Sequence, residues 1–220
     1  IVELLRTADW VWSLGQTPDA QGAIVALDPI DGAVVALAGG FDFQASKYNR
    51  ATQAKRQPGS SFKPFIYSAA LENGFTAASI VNDAPVVFED ATLEDTWRPE
   101  NYSGRFYGPT RLREALIRSR NMVSIRLLRE IGVGFALDYV QRFGFPPGDL
   151  PRNLSLALGS ATVTPLQIAQ GYTVFANGGY RTEPYFIDRI RSANGEILVE
   201  ADPAIVCEAC EQTTETGAKG

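Results

Sequence analysis

A chain of 220 residues with 45% apolar and 20% charged residues has the profile of a folded globular domain, and its length allows one domain or at most two small ones. A net charge of −5 leaves no basic footprint for a phosphate backbone or an anionic membrane surface, so nucleic acid is excluded as an expected partner. The longest apolar runs, 22–27 and 33–37, fall far short of the roughly 18 residues that span a bilayer, and residues 1–6 lack the basic and apolar regions of a signal or transit peptide, so targeting is expected to lie outside this stretch.

In chain order, residues 1–21 mix apolar and polar side chains without period and read as a lead-in or linker that ends at Thr17-Pro18-Asp19. The runs 22–27 and 33–37 are β-prone, and Asp28-Pro29-Ile30-Asp31-Gly32 between them supplies turn chemistry, which predicts a hairpin. Both runs are almost continuously apolar, so both faces are expected to be covered. From Ser60 to Asn73 the apolar positions recur at helical spacing, and Gly74 follows as a stop. Pro64 is tolerable only in the first turn, which puts the helix start close to Gly59 or Ser60. Residues 80–109 are rich in Asp, Pro, Gly and aromatics and read as an extended loop region.

A second helical stretch begins after Thr110, with Leu112, Ala115, Leu116, Val123, Leu127 and Leu128 on one face and Ser119 on the same face. More helix is expected at about 134–143 and 166–177, the latter with Thr164 as N-cap and Pro165 in the first turn. Residues 185–190 and 196–200 are expected to form a further hairpin around Ala193-Asn194-Gly195. The tail from 201 to 220 carries few signals of order. The implied fold class is α+β.

Histidine is absent, which excludes any Ser-His-Asp or Cys-His arrangement within these residues. A nucleophilic serine would then need Lys, Glu, Asp or Tyr as its base. Cys207 and Cys210 form the only Cys-x-x-Cys; with no third cysteine and no histidine they cannot close a zinc site, and no thioredoxin-like frame surrounds them. They read as a local disulfide or two idle thiols. No metal or cofactor is expected.

Ser60-Ser61-Phe62-Lys63 puts a hydroxyl and an amine three residues apart at a helix start, about one turn apart on one face and able to share a hydrogen bond. Lysine can act as a base only if desolvation or nearby positive charge brings its pKa from about 10.4 toward 7, so Lys63 is expected to be mostly buried, with Phe62, Pro64 and Phe65 as apolar walls. Backbone amides near Ser60 at the helix N-terminus are natural oxyanion donors. Alone, the pattern arises by chance about once in a chain this long, and a cap beside a solvated lysine reads it more simply. Ser119-Arg120-Asn121 offers a second hydroxyl and an amide, but in an unbroken helix positions i and i+2 point about 200° apart. If both line one site, the helix must break near 118–121; otherwise Ser119 is a helix-core serine and Asn121 an exposed asparagine.

Together these residues resemble the penicillin-binding protein and serine β-lactamase superfamily, whose signature is S-x-x-K, then S-x-N, then K-T-G. Residues 56–65 (Arg-Gln-Pro-Gly-Ser-Ser-Phe-Lys-Pro-Phe), 97–102 (Trp-Arg-Pro-Glu-Asn-Tyr), 119–121, and 156–162 with Thr164-Pro165 are similar to class A bifunctional penicillin-binding proteins of Gram-negative bacteria, over about 21–200. The resemblance implies a penicillin-binding/serine β-lactamase-like transpeptidase fold, helices on an antiparallel sheet, with 22–200 as the N-terminal part of that domain. It implies that Ser60 is acylated, that Lys63 is the base, that Ser119 relays a proton to the leaving amine, and that Asn121, with Trp97 and Asn101, contacts substrate. The implied partners are peptidoglycan stem peptides and β-lactams, and the implied location is the periplasmic face of the inner membrane. Lys-Thr-Gly is missing, since Glu215-Thr216-Gly217 carries the wrong charge in a tail without strand pattern. The resemblance therefore implies a domain incomplete on its C-terminal side, with the third-motif strand among the missing remainder and turnover by these residues alone in question. A D,D-carboxypeptidase, a β-lactamase-like hydrolase and a β-lactam-binding fragment without turnover are the competing readings.

Overall fold

The computed structural model describes residues 3–6, 10–15, 19–86 and 97–207. Every strand pair among them is antiparallel, and helices supply the core, in line with the α+β expectation. The lead-in carries a short hairpin of β1 (Glu3–Arg6) and β2 (Trp12–Gly15). The expected hairpin at 22–37 forms as β3 (Ile24–Leu27) and β4 (Val34–Ala38). Asp28 and Asp31 each accept the amide two residues on, at 2.8 Å, which builds the turn between them. The expectation that both faces of this hairpin are covered fails: Ile24 is 60% and Val35 69% exposed. Among the described residues α5 packs on β3, and both strands keep exposed side chains. An apolar run reports that a face can be buried, not that something lies on it.

A 3-10 turn over Gly59–Phe62 leads into α1 (Lys63–Glu72), with Pro64 in the first turn as expected. Phe65, Ile66, Ala69 and Ala70 of α1 are fully buried, and the two alanines let α3 and α4 approach closely. Residues 80–109 are not loop throughout. They start in β5 (Ile80–Asp83) and end at the paired strand β6 (Gly108–Arg111).

The helical stretch after Thr110 divides into α2 (Leu112–Ile117) and α3 (Asn121–Ile131), and α4 (Val133–Val140) follows. α3 is strongly two-faced: Met122, Val123, Ile125, Leu127 and Leu128 are fully buried, each such side chain stabilising the fold by about 1.5–3 kcal/mol. α5 (Pro165–Ala176) opens with a capping box, in which Thr164 Oγ1 accepts from the Gln167 amide at 3.2 Å and Gln167 Oε1 accepts from the Thr164 amide at 2.8 Å. β7 (Arg189–Arg191) and β8 (Ile197–Glu200) complete the last expected hairpin. Cys207 is disulfide-bonded, as the local-disulfide reading anticipates; Cys210 and the rest of the tail lie outside the described residues.

Candidate active site

The approach to Ser60 is held from below. Arg56 and Val163 exchange backbone hydrogen bonds at 2.9 and 3.2 Å, and the Gly59 amide donates to Gly159 O at 3.1 Å. Gly159 is in the left-handed region at φ +73°, and a Cβ there would lie 1.9 Å from Gly59 O. The segment 156–163 thus sits directly against the turn that presents the serine. Beneath that turn, Phe62 and Phe65 pack on each other and on Phe145, and Phe65 also meets Phe143, Tyr172 and Phe175. Tyr172 Oη donates to Ser61 O at 2.8 Å, fastening the turn to α5.

The two adjacent serines differ. Ser61 Oγ donates to Pro58 O at 2.7 Å and is committed to the turn. Ser60 is exposed, and among the described residues its hydroxyl has no hydrogen-bond partner. Its amide is among the first of the turn, where amides have no acceptor within the turn itself.

Lys63 is 1% exposed. Burial pulls its pKa from 10.5 down to about 8. The anticipated hydrogen bond between Ser60 and Lys63 does not form. Nζ donates instead to Ser119 O at 2.7 Å, Ser119 Oγ at 2.9 Å and Asn121 Oδ1 at 2.7 Å. Three oxygens converging from the α2–α3 turn take all three ammonium hydrogens, which leaves the Ser60 hydroxyl unbonded to the amine.

The break between α2 and α3 brings Ser119 and Asn121 together. Ser119 adopts φ +51°, its amide donates to Leu116 O at 3.0 Å, and the Arg120 amide reaches back to Ala115 O at 2.8 Å. That pair of bonds around a left-handed residue is a Schellman ending, with serine where glycine is usual. The conformation costs a non-glycine residue about 1–2 kcal/mol, so the surroundings must enforce it. Ser119 and Asn121 therefore face one lysine although they are two residues apart.

The two other residues expected on substrate sit deeper. Trp97 packs against the hydrophobic core. Asn101 is 5% exposed; its Oδ1 accepts from the Asn121 amide at 2.8 Å, and its Nδ2 donates to Asp83 Oδ1 at 2.7 Å and Arg105 O at 2.8 Å. Asp83, Arg120, Gly159 and Tyr172 also shape the site; Arg120 and Gly159 fall within segments that carry the resemblance, while Asp83 and Tyr172 have no signal in the sequence. Among the described residues no cluster of acidic and cysteine side chains is arranged to hold a metal ion.

Comparison with known proteins follows the same outline. Residues 22–216 match the family model for the penicillin binding protein transpeptidase domain. Penicillin-binding protein 1A of Pseudomonas aeruginosa is 58% identical over 202 residues, covering 92% of this chain and 25% of the relative. The crystal structure of penicillin-binding protein 1A from Haemophilus influenzae superposes with a TM-score of 0.88 at 43% identity, over 94% of this chain and 31% of that one. A Mycobacterium tuberculosis protein solved in complex with penicillin V superposes with a TM-score of 0.71 at 30% identity, over 83% of this chain and 51% of that one. The chain spans about a quarter of the length of the curated relatives it matches. With a buried lysine between a serine at a helix start and a serine–asparagine turn, and with these likenesses over nearly its whole length, the chain belongs to the penicillin-binding protein transpeptidase domain family.

Proposed function

We propose that this chain carries the acyl-serine centre of a peptidoglycan D,D-transpeptidase that β-lactams also acylate. The observation that carries the reading is Lys63: enclosed, lowered to about 8, and bonded to Ser119 and Asn121 one turn from an exposed serine. When Nζ loses its extra proton it keeps two donor bonds and gains a lone pair, which can accept from a hydroxyl. Ser60 Oγ then attacks the carbonyl of the penultimate D-Ala and its proton passes to Nζ. The tetrahedral oxyanion forms beside the Ser60 amide. Collapse breaks the D-Ala–D-Ala amide bond, and the proton reaches the leaving nitrogen through Ser119. An acceptor amine then displaces Ser60 from the acyl carbon, and the proton returns to Oγ. Asn121 Nδ2 donates one hydrogen to Glu100 O at 2.8 Å and has one left for a substrate carbonyl.

In this reading the work takes place on the periplasmic face of the inner membrane, on stem peptides of the wall. The full-length protein is expected to join D-Ala-terminated stem peptides and release one D-Ala per cross-link, with Ser60→Ala forming none. D-Ala release without cross-links would replace transpeptidation by carboxypeptidation.

Ser119→Gly separates fold from chemistry. Glycine relieves the left-handed strain at a backbone-entropy cost of about 0.5–1 kcal/mol, so stability should stay within about 1 kcal/mol of the parent while acylation falls by roughly 10²-fold, the lower range for a lost proton relay. Chemical denaturation and the acylation rate with a fluorescent penicillin test this. An unchanged rate would remove Ser119 from the proton path.

A further inference from the structure

We propose that Asp83 and Asn101 form a buried positioning pair that sets the strained turn carrying Ser119 and Asn121, so that Asn101 acts on the reaction through α3 and not by touching substrate. The inference rests on the Ser60 reading above.

α3 starts at Asn121, and its N-cap residue, Arg120, gives no side-chain cap. The first amides of a helix have no intrahelical acceptor and need another partner. Asn101, twenty residues earlier, supplies it: one oxygen, Oδ1, accepts from the amides of Asn121 at 2.8 Å and Met122 at 3.4 Å. Its orientation is fixed from behind. Nδ2 is held at 2.7 Å by Asp83 Oδ1 and at 2.8 Å by Arg105 O, so the amide cannot flip without facing a donor to a donor.

Asp83 is fully buried at the end of β5. A carboxylate without solvent is costly unless it is paired, and the pairing here is specific. Besides Asn101, its Oδ2 lies 3.9 Å from Arg120 Nε, and the Arg120 guanidinium lies over the Tyr107 ring at 3.4 Å. Arg120 is the middle residue of the Ser-Arg-Asn triplet. Asp83 therefore holds the turn through Asn101 onto the Asn121 amide, while the Arg120 guanidinium stands near its second oxygen with no hydrogen bond between them. Neither of these groups lies on the Ser60 side chain or on Lys63 Nζ. What they control is where the Ser119 and Asn121 oxygens stand relative to Lys63, and a displacement of about 1 Å at such a centre can cost about 10²-fold in rate.

The test exchanges the two side chains in the full-length protein. Asn101→Asp sets two carboxylates face to face and is expected to slow Ser60 acylation by a fluorescent penicillin about 10- to 100-fold, in the acylation step and not in initial binding. It should also speed hydrogen exchange at the Asn121 and Met122 amides, leaving α1 unchanged. Adding Asp83→Asn restores a donor–acceptor pair with its direction reversed. The new side-chain amide at position 83 can donate to the new carboxylate at position 101, which still accepts from the two backbone amides of α3. The double variant D83N/N101D is expected to recover acylation to within about threefold of the parent and to restore slow exchange. Asn101→Asp acylating at the parental rate, a defect confined to initial binding with normal exchange, or no recovery in the double variant would each overturn the pair. Those outcomes are distinct from failure of the Ser60 reading, in which the parent protein itself would form no Ser60 adduct.

Discussion

Lys63→Met is expected to slow β-lactam acylation by roughly 10²- to 10⁴-fold, the usual worth of a positioned general base, and to remove its pH dependence. With a pKa of about 8, Lys63 is mainly protonated at neutral pH, and only the neutral amine can take the Ser60 proton. The parental rate should therefore rise about tenfold per pH unit below 8 and level off above it. The same shift has a signature in stability. Folding lowers this pKa below its unfolded value of 10.5, so between about 8 and 10.5 the unfolded chain binds more protons than the folded one, and stability rises with pH across that window. Below pH 8 the buried charge costs the full amount, about 3 kcal/mol at 1.36 kcal/mol per unit.

Methionine carries no such cost, but it leaves Ser119 O and Asn121 Oδ1 without their donor, at about 1–3 kcal/mol for a group left unpaired. The two effects nearly offset near neutral pH. What should vanish in the variant is the stability gain between pH 8 and 10.5. A flat acylation profile from pH 6 to 9 in the parent would show that Lys63 is not the base, as would a Lys63→Met rate within tenfold of it.

Gly159→Ala should damage the centre from a position that touches no substrate. The new Cβ would stand 1.9 Å from Gly59 O and 2.6 Å from the carbonyl carbon, and both obstructing atoms are backbone, so no rotamer change relieves the clash. The φ of +73° adds a left-handed penalty of about 1–2 kcal/mol. The turn holding Ser60 must shift by more than about 1 Å, which predicts a loss of stability above about 3 kcal/mol and a fall in acylation of at least about 10²-fold. Gly74→Ala is the control. Gly74 is also left-handed, at φ +93°, but a Cβ there meets nothing within 4 Å. It should lose about 1–2 kcal/mol and acylate at the parental rate. Equal behaviour of the two variants, in denaturation and in acylation rate, would mean that the Gly59–Gly159 contact does not position the serine.

Local chemistry made much of this legible before any coordinates. Pro64 fixed the start of α1 near Ser60, Asp28 to Gly32 announced the hairpin, and Thr164-Pro165 announced α5. The break between α2 and α3 followed from a geometric demand, since Ser119 and Asn121 cannot share a site within one unbroken helix. Its chemistry was not legible, because a Schellman ending is usually marked by glycine and here the left-handed residue is a serine. The pairing of β5 with β6 was hidden by Asp83, Gly108 and Pro109, poor strand formers that the pairing tolerates in a short two-stranded sheet. Long-range partners left no trace. The resemblance implies that Asn101 contacts substrate, whereas its place between Asp83 and the Asn121 amide has no signal in the sequence, and Gly159 reveals its purpose only against a backbone a hundred residues earlier. The Ser60–Lys63 bond was anticipated from spacing alone; the α2–α3 turn competes for the amine with a backbone carbonyl, a hydroxyl and an amide oxygen, and wins it.

The most direct test is the mass of the full-length protein after treatment with penicillin, followed by mapping of the modified peptide. One penicilloyl group per chain is expected, carried by Ser60 and absent in Ser60→Ala. An adduct on Ser61, Ser119 or any other residue, or one that persists in Ser60→Ala, would contradict the assignment of Ser60 as the nucleophile.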